Sequence, residues 1–459
     1  MLGLAKPSYP HRRRRRVLVF AAVVAALGLV GIALAGVLCR VALDCHLRDV
    51  GLERYANYDL LDEAALPGTS PTALPPGFRE EVVARGLALP TAFTVLPDGR
   101  TLVAEKNGVV RVVRDGKVLP RPLLDIRDRV NHFGLRGLVA VRHAPDFERS
   151  GLVYLLYSYE HSSQPLEYHS TVVRLSAFRV EGDVADASSE RIVLGGAGKK
   201  SCNDASAGDC IPLEGDHLGG GLEFAPDGTL FVSTGDGWDA RSGFDERPLR
   251  AQNLDSLAGK LLRITPEGDG APSNPFWNGD AQAARSKVYA YGFRNPFRFT
   301  SLARSAVVVA DVGWNEWEEV NQATPGANFG WPCYEGRKRL SAYRDSEVCR
   351  ELDEREARFP LHAYPHGSVT GGSVTGGVVY DGTEFPAAYR GAYFLGDWLK
   401  SWIRYLPAGM LDRSAPGAAR PFAERTDGPV EFAVAEDGSL LYLALNDGEL
   451  RRIRWAGER

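Results

Sequence analysis

From Gly77 onward the chain repeats one pattern six times: an apolar strand, a tight turn, then a second apolar strand. The units span residues 91–113, 138–159, 222–237, 293–313, 374–406 and 431–453. Several close on an acid-glycine turn, as in Pro97-Asp98-Gly99, Pro226-Asp227-Gly228 and Glu436-Asp437-Gly438. Alternating strands joined by Asp-Gly turns are a hairpin signal. Repetition every few tens of residues marks a radial or stacked architecture. Many short strands laid in open sheets would leave unpaired edges, whereas a ring of blades leaves only short, protected ones. The expected fold class is therefore all-β, a six-bladed β-propeller. A pair of β-sandwiches is the competing arrangement and leaves the sixfold count unexplained.

Composition agrees with this reading. Fifty glycines and 28 prolines against two methionines favour turns and short strands over long helices. A formal net charge of −4 with no basic stripe along the body excludes nucleic acid as a partner. Concentrated positive charge lies only at the N-terminus. Residues 1–16 form a basic segment, and residues 17–38 carry no charge over a length sufficient to cross a bilayer. They read as a transmembrane anchor or, through Ala33-Leu34-Ala35 before Gly36, as a cleavable signal peptide. Either way the body is expected to be exported: membrane-anchored and facing outward, or secreted. Residues 39–76 look like a stalk or lead-in, and residues 77–457 form the propeller. Six cysteines fall into local pairs, Cys39/Cys45, Cys202/Cys210 and Cys333/Cys349. In an exported chain they read as loop-closing disulfides, since their spacing forms no zinc-ligand pattern.

The stretch Asp216-His217-Leu218-Gly219-Gly220-Gly221 carries the chemistry. It sets an imidazole, the side chain that titrates near neutral pH, beside a carboxylate and before glycines that permit close approach of backbone. A histidine here can serve as a base, or it can merely satisfy backbone groups in a turn. Three other segments stand out: Tyr291-Gly292-Phe293-Arg294-Asn295-Pro296, the run Asp311 to Asn321, and Gly326-Ala327-Asn328-Phe329-Gly330-Trp331-Pro332. Arg294-Asn295 can alternatively be a clamp between blades. The acids Glu316, Glu318 and Glu319 can be a solvated face, and Trp317 and Trp331 can be packing residues. His362, Tyr364 and His366 fall in what reads as a loop.

In this order, Asp-His-x-Gly-Gly, Arg-Asn-Pro, Trp-Glu-Glu-Val-Asn and Asn-Phe-Gly-Trp-Pro resemble the pyrroloquinoline-quinone-dependent soluble aldose sugar dehydrogenases, the glucose/sorbosone dehydrogenase family. The resemblance covers roughly residues 77–455 and implies a six-bladed propeller. It further implies oxidation of an aldose at the anomeric carbon, with hydride passing to bound pyrroloquinoline quinone. His217 would be the general base and Asp216 would hold its orientation. Arg294 and Asn295 would bind the quinone oxygens, and Arg425 would loosely match a cofactor-binding arginine. Calcium would assist, held by the carbonyls of Gly313 and Trp314, with a second ion at Glu319 and the carbonyl of Phe329. Electrons would leave to a quinone or cytochrome acceptor.

The chain also departs from the family pattern. Leu218 replaces a polar residue and Val312 a glutamine. The lysine and paired arginines that bind the cofactor's carboxylates have no clear counterparts. An alternative is thus a calcium-stabilised propeller that binds a polysaccharide or protein without chemistry.

Overall fold

The computed structural model describes residues 71–457, apart from 163–168, 197–200, 203–206, 239–243, 303–305, 368–370 and 412–417. The proposed N-terminal segment at 17–38 and the pair Cys39/Cys45 lie outside the described residues. Among the described residues, no helix is long and apolar enough to cross a membrane.

Six antiparallel sheets follow one another along the chain, each beginning with one of the six sequence units. Blade one starts at Pro90–Val95, blade two at Leu138–His143 and blade three at Leu222–Phe224. Blades four, five and six start at Pro296–Ser301, Val374–Val379 and Pro429–Val434. The ring closes through a strand outside the six repeated units. Strand Phe78–Ala84 pairs with Glu449–Trp455 and becomes the outermost strand of blade six, so both ends of the propeller share one sheet.

The second strand of each blade is apolar on both faces because each face meets a neighbouring blade. In blade four, Val307 and Val309 pack with Phe231 and Leu261 of blade three. Val308 and Ala310 pack with Val374, Tyr393 and Leu395 of blade five. Side chains alternate across a strand, so a continuous apolar run is what a sheet sandwiched between two others requires. Blade two repeats this: Val153, Leu155 and Tyr157 face blade one, while Tyr154 and Leu156 face blade three.

The centre of the ring is plugged by one side chain. Arg298, on the innermost strand of blade four, donates Nη1 to Gly220 O at 2.6 Å, and Nη2 to Thr91 O at 2.6 Å and Val139 O at 3.0 Å. Its Nε lies 2.7 Å from Glu431 Oε2 of blade six. Gly376 of blade five packs on its stem, where an added Cβ would come within 2.6 Å of Arg298 Cβ. One guanidinium thus ties blades one, two, three and six to blade four.

Antiparallel order sorts the loops. Turns between first and second strands, including Pro97-Asp98-Gly99, Pro226-Asp227-Gly228 and Glu436-Asp437-Gly438, lie on one face. Connectors between blades, and between second and third strands, lie on the other, called here the connector face. Two expected disulfides are formed, Cys202–Cys210 and Cys333–Cys349, with Cα–Cα separations of 5.6 and 5.2 Å. The second closes the long excursion after residue 332 on blade four. Residues His362–Pro365, expected as loop, are the outermost strand of that blade.

Candidate active site

His217 lies on the connector entering blade three and is 5% exposed. Its Nδ1 lies 2.8 Å from Asp236 Oδ1. Asp236 follows the second strand of the same blade, Leu230–Thr234, and is itself 1% exposed. Its carboxylate also accepts from Trp238 N and from Trp331 Nε1, each at 2.9 Å. A carboxylate has no proton to give, so His217 donates through Nδ1, and in the neutral ring Nε2 carries the lone pair. Glycine at 235 permits the close fit, since a Cβ there would lie 2.3 Å from His217 O.

The carboxylate that orients the imidazole is therefore Asp236 and not the adjacent Asp216. The chain bends through residues 214–216, immediately before His217. Asp216 accordingly turns toward Gly134, where an added Cβ would lie 3.0 Å from its Oδ1.

Arg294 and Asn295 stand on the next inter-blade connector. Their backbone N–H groups donate to Asp311 Oδ2 and Oδ1 at 3.0 and 2.6 Å. Arg294 Nη1 donates to Val312 O at 3.0 Å, and the guanidinium carbon sits 5.7 Å from the centre of the Trp331 ring. Trp331 thus touches both Asp236 and Arg294, joining the histidine side of the site to the arginine side. Asn295 accepts from Gly219 N at 3.1 Å, which fixes it against the glycines after His217. Its Nδ2 remains a donor without a protein partner among the described residues.

The acidic run is not a solvated face. Glu318 and Glu319 are buried, and only Glu316 reaches the surface, where it pairs with Lys338. Glu319 accepts from Asn321 Nδ2 at 3.0 Å and from Gly336 N. Burial pushes its pKa up to about 7. Burial, then the charge of Glu319, holds Asp311 well above the usual carboxylate range. Glu335 Oε1 accepts from the backbone N–H groups of Trp314, Asn315, Glu316 and Trp317 at 2.7, 2.9, 2.9 and 3.2 Å. Peptide planarity then turns the carbonyls of Gly313 and Trp314 away from that carboxylate. Glu335 Oε2 and Asn321 Oδ1 are buried with no hydrogen-bond partner. Buried acids with unpartnered oxygens form the oxygen-rich environment a hard cation takes. Phe329 stacks on Phe293 at 4.7 Å and donates its N–H to Tyr291 O.

Arg425 departs from expectation. It is exposed, and its Nε donates to Pro71 O at 3.1 Å, while Thr72 Oγ1 donates to its carbonyl. Its side chain is spent on fastening the lead-in segment to the rim of blade five. Cations that sequence reading passed over stand elsewhere on the connector face. Lys400 Nζ donates to His366 O and Gly371 O, and Arg136 donates to Gly215 O and His169 O. Leu218 fills the apolar core between blades two and three, and Val312 packs against the core between blades four and five.

One regularity accounts for the position of Asp236. In blades one, two, four and five the residue ending the second strand clamps the connector entering that blade. Glu105 accepts from Ala88 N at 2.9 Å, Ser158 from Gly137 N at 2.9 Å, and Asp397 from Ser373 N at 3.1 Å. Asp311 holds Arg294 and Asn295 in the same way. In blade three the clamp takes an imidazole in place of a backbone N–H.

Comparison with known proteins agrees with this architecture. The family model described as Glucose / Sorbosone dehydrogenase matches residues 87–452. Aldose sugar dehydrogenase YliI of Escherichia coli is 32% identical over 282 residues, 61% of this chain and 68% of that protein. Human Hedgehog-interacting protein is 27% identical over 48% of this chain, but only 31% of its own length is covered. Among solved structures, a glucose dehydrogenase superposes with a TM-score of 0.64 at 26% identity, covering 82% of this chain and 99% of that one. The PQQ-bound form of aldose sugar dehydrogenase from Streptomyces coelicolor superposes at 0.60 and 21% identity, over 83% and 99%. At that identity it speaks for the fold. With its matched region spanning nearly the whole ring, the chain belongs to the glucose/sorbosone dehydrogenase family.

Proposed function

We propose that this protein is an exported oxidoreductase that oxidises an aldose at the anomeric carbon, using pyrroloquinoline quinone and calcium and passing electrons to a quinone or cytochrome. The observation that carries the reading is the buried Asp236–His217 pair, whose geometry leaves Nε2 as a free base. His217 takes the proton of the anomeric hydroxyl at Nε2. The Asp236 carboxylate stabilises the imidazolium that forms, and Trp238 N and Trp331 Nε1 keep that carboxylate in place. Arg294 and the Asn295 amide are donors for anionic oxygens beside the base. Pyrroloquinoline quinone, when bound, would supply a two-electron acceptor for hydride. One calcium would be held by the carbonyls of Gly313 and Trp314, and a second by Glu319, Glu335 and Asn321 with the carbonyl of Phe329. The unpartnered oxygens of Glu335 and Asn321 support that assignment. The two disulfides agree with an oxidising compartment.

The test is protein loaded with calcium and pyrroloquinoline quinone, then mixed with a panel of aldoses while cofactor reduction is followed optically. Reduction that His217→Ala abolishes is expected. No spectral change with any sugar would refute the proposal. A second reading, a calcium-stabilised propeller that binds a polysaccharide or protein, draws on the Hedgehog-interacting relatives and on the engagement of Arg425 away from the site. It predicts that calcium raises Tm while pyrroloquinoline quinone does not.

A further inference from the structure

A second cluster of metal-ligating side chains lies on the connector face, at the loop joining the second and third strands of blade two. Glu160, His161 and His169 bring three potential ligand atoms within 4.8 Å of one another. His169 Nε2 is 3.1 Å from Glu160 Oε1, and the two imidazole rings have centroids 4.5 Å apart. Ligands 2.0–2.1 Å from a tetrahedral ion stand about 3.4 Å from one another. One pair is already close to that spacing, and since all three atoms lie within 4.8 Å of one another, the third ligand has at most about 1.4 Å to close.

The surroundings resemble those of a held ligand set. Glu160 is 4% exposed, and Asn131 Nδ2 and Ser162 N donate to its two oxygens at 2.8 and 2.6 Å. His161 Nε2 lies 3.1 Å from Ser170 O. A carbonyl only accepts, so that nitrogen carries the proton and Nδ1 keeps its lone pair. Hydrogen bonds that fix a carboxylate and set an imidazole tautomer are what support ligands around a metal. Two imidazoles with one carboxylate suit a borderline cation such as Zn2+ and suit Ca2+ poorly.

We propose that Glu160, His161 and His169 bind one Zn2+-class ion, separate from the buried acids of blade four and independent of sugar oxidation. The ion would join the two ends of the connector that spans residues 160–169. Arg136, which donates to His169 O at 2.6 Å and to Gly215 O at 3.0 Å, links that connector to the segment carrying His217. Metal binding would therefore stiffen the rim beside the base.

The experiment uses chelator-treated, dialysed full-length protein titrated with Zn2+ by calorimetry, with Co2+ as an optical probe. Expected are one equivalent of Zn2+, tetrahedral Co2+ bands, and a rise in Tm with Zn2+. His161→Ala and His169→Ala should each weaken binding by at least tenfold and abolish the bands. Glu160→Gln, which keeps the shape of the buried side chain, should do the same. An unchanged Zn2+ affinity in the double histidine variant, or no Zn2+ binding by the wild type, would overturn the proposal. Zn2+ binding that excess Ca2+ displaces would also overturn it, by placing the ion among the blade-four acids.

Discussion

Replacing Arg298 by methionine should destabilise the whole ring and not one blade. The guanidinium makes three hydrogen bonds to carbonyls of blades one, two and three and pairs with Glu431 of blade six. Both members of the ion pair are buried, at 6% and 10% side-chain exposure. Methionine fills most of the volume but leaves Glu431 with only Arg142, at 3.5 Å. Removing one partner of a buried pair costs about 3–5 kcal/mol. Unfolding entropy of about 2.1 cal/mol/K per residue gives roughly 0.8 kcal/mol/K for a ring of about 380 residues. The expected fall in Tm is therefore about 4–6 °C, read by calorimetry or by the loss of near-ultraviolet dichroism. Adding Glu431→Gln removes the stranded charge. The double variant should then recover more than 1 kcal/mol relative to the sum of the single changes, although three carbonyls stay unpaired. A fall below 1 °C in Arg298→Met, or strict additivity in the double variant, would show that the guanidinium is not the hub described.

Three further outcomes follow from the site and its supports. In the loaded enzyme, Asp236→Asn should lower kcat by about 100-fold or more while Tm moves little, because the imidazole loses its fixed tautomer; an unchanged kcat would disconnect the pair from catalysis. Replacing Cys333 and Cys349 by serine opens a loop of 16 residues and should cost about 3 kcal/mol, measured by denaturant unfolding with and without reductant. Burial, then the charge of Glu318, raises Asp397 from 3.8 to about 6. The folded state thus binds this proton more tightly than the unfolded state does. The resulting stability is complete below pH ~3.8 and is lost as pH rises through about 6. Asp397→Asn should flatten that part of the stability–pH curve, and an unchanged slope would refute the assignment.

How far the chain could be read depended on whether a feature is local. Six blades were legible because each second strand is an uninterrupted apolar run, a local consequence of burial on both faces. Closure by Phe78–Ala84 was not, because its partner Glu449–Trp455 lies at the far end of the chain. His217 and Arg294-Asn295 were legible as motifs, each on an inter-blade connector. Sequence adjacency points to Asp216 as the partner of His217, whereas the chain bends at residues 214–216 and the carboxylate that meets Nδ1, Asp236, comes from beyond the blade's second strand. Glu335 was hidden inside the disulfide-closed excursion, where nothing in spacing links it to the N–H groups of residues 314–317. Arg298 did leave a signal, a charge between two phenylalanines on an innermost strand, and reading it required knowing that the strand faces a closed centre.

Asp236 itself could have been found by aligning the blades with one another instead of reading along the chain. Glu105, Ser158, Asp311 and Asp397 each end a second strand, and each accepts a backbone N–H from the connector entering its own blade. Asp236 stands two residues beyond the equivalent strand end, after Gly235, and receives Nδ1 of His217. That offset moves the carboxylate outward from the strand, and the missing Cβ at 235 lets the connector close over it. The base of the site is thus held by the same device that locks blades one, two, four and five, displaced by two residues. Its rigidity comes from the ring, which places it next to Arg294 because consecutive connectors enter consecutive blades on one face. Displacing the clamp should therefore perturb activity without opening the fold, whereas removing Arg298 should open the fold. Comparing the Tm of the Asp236 and Arg298 variants separates these two roles directly.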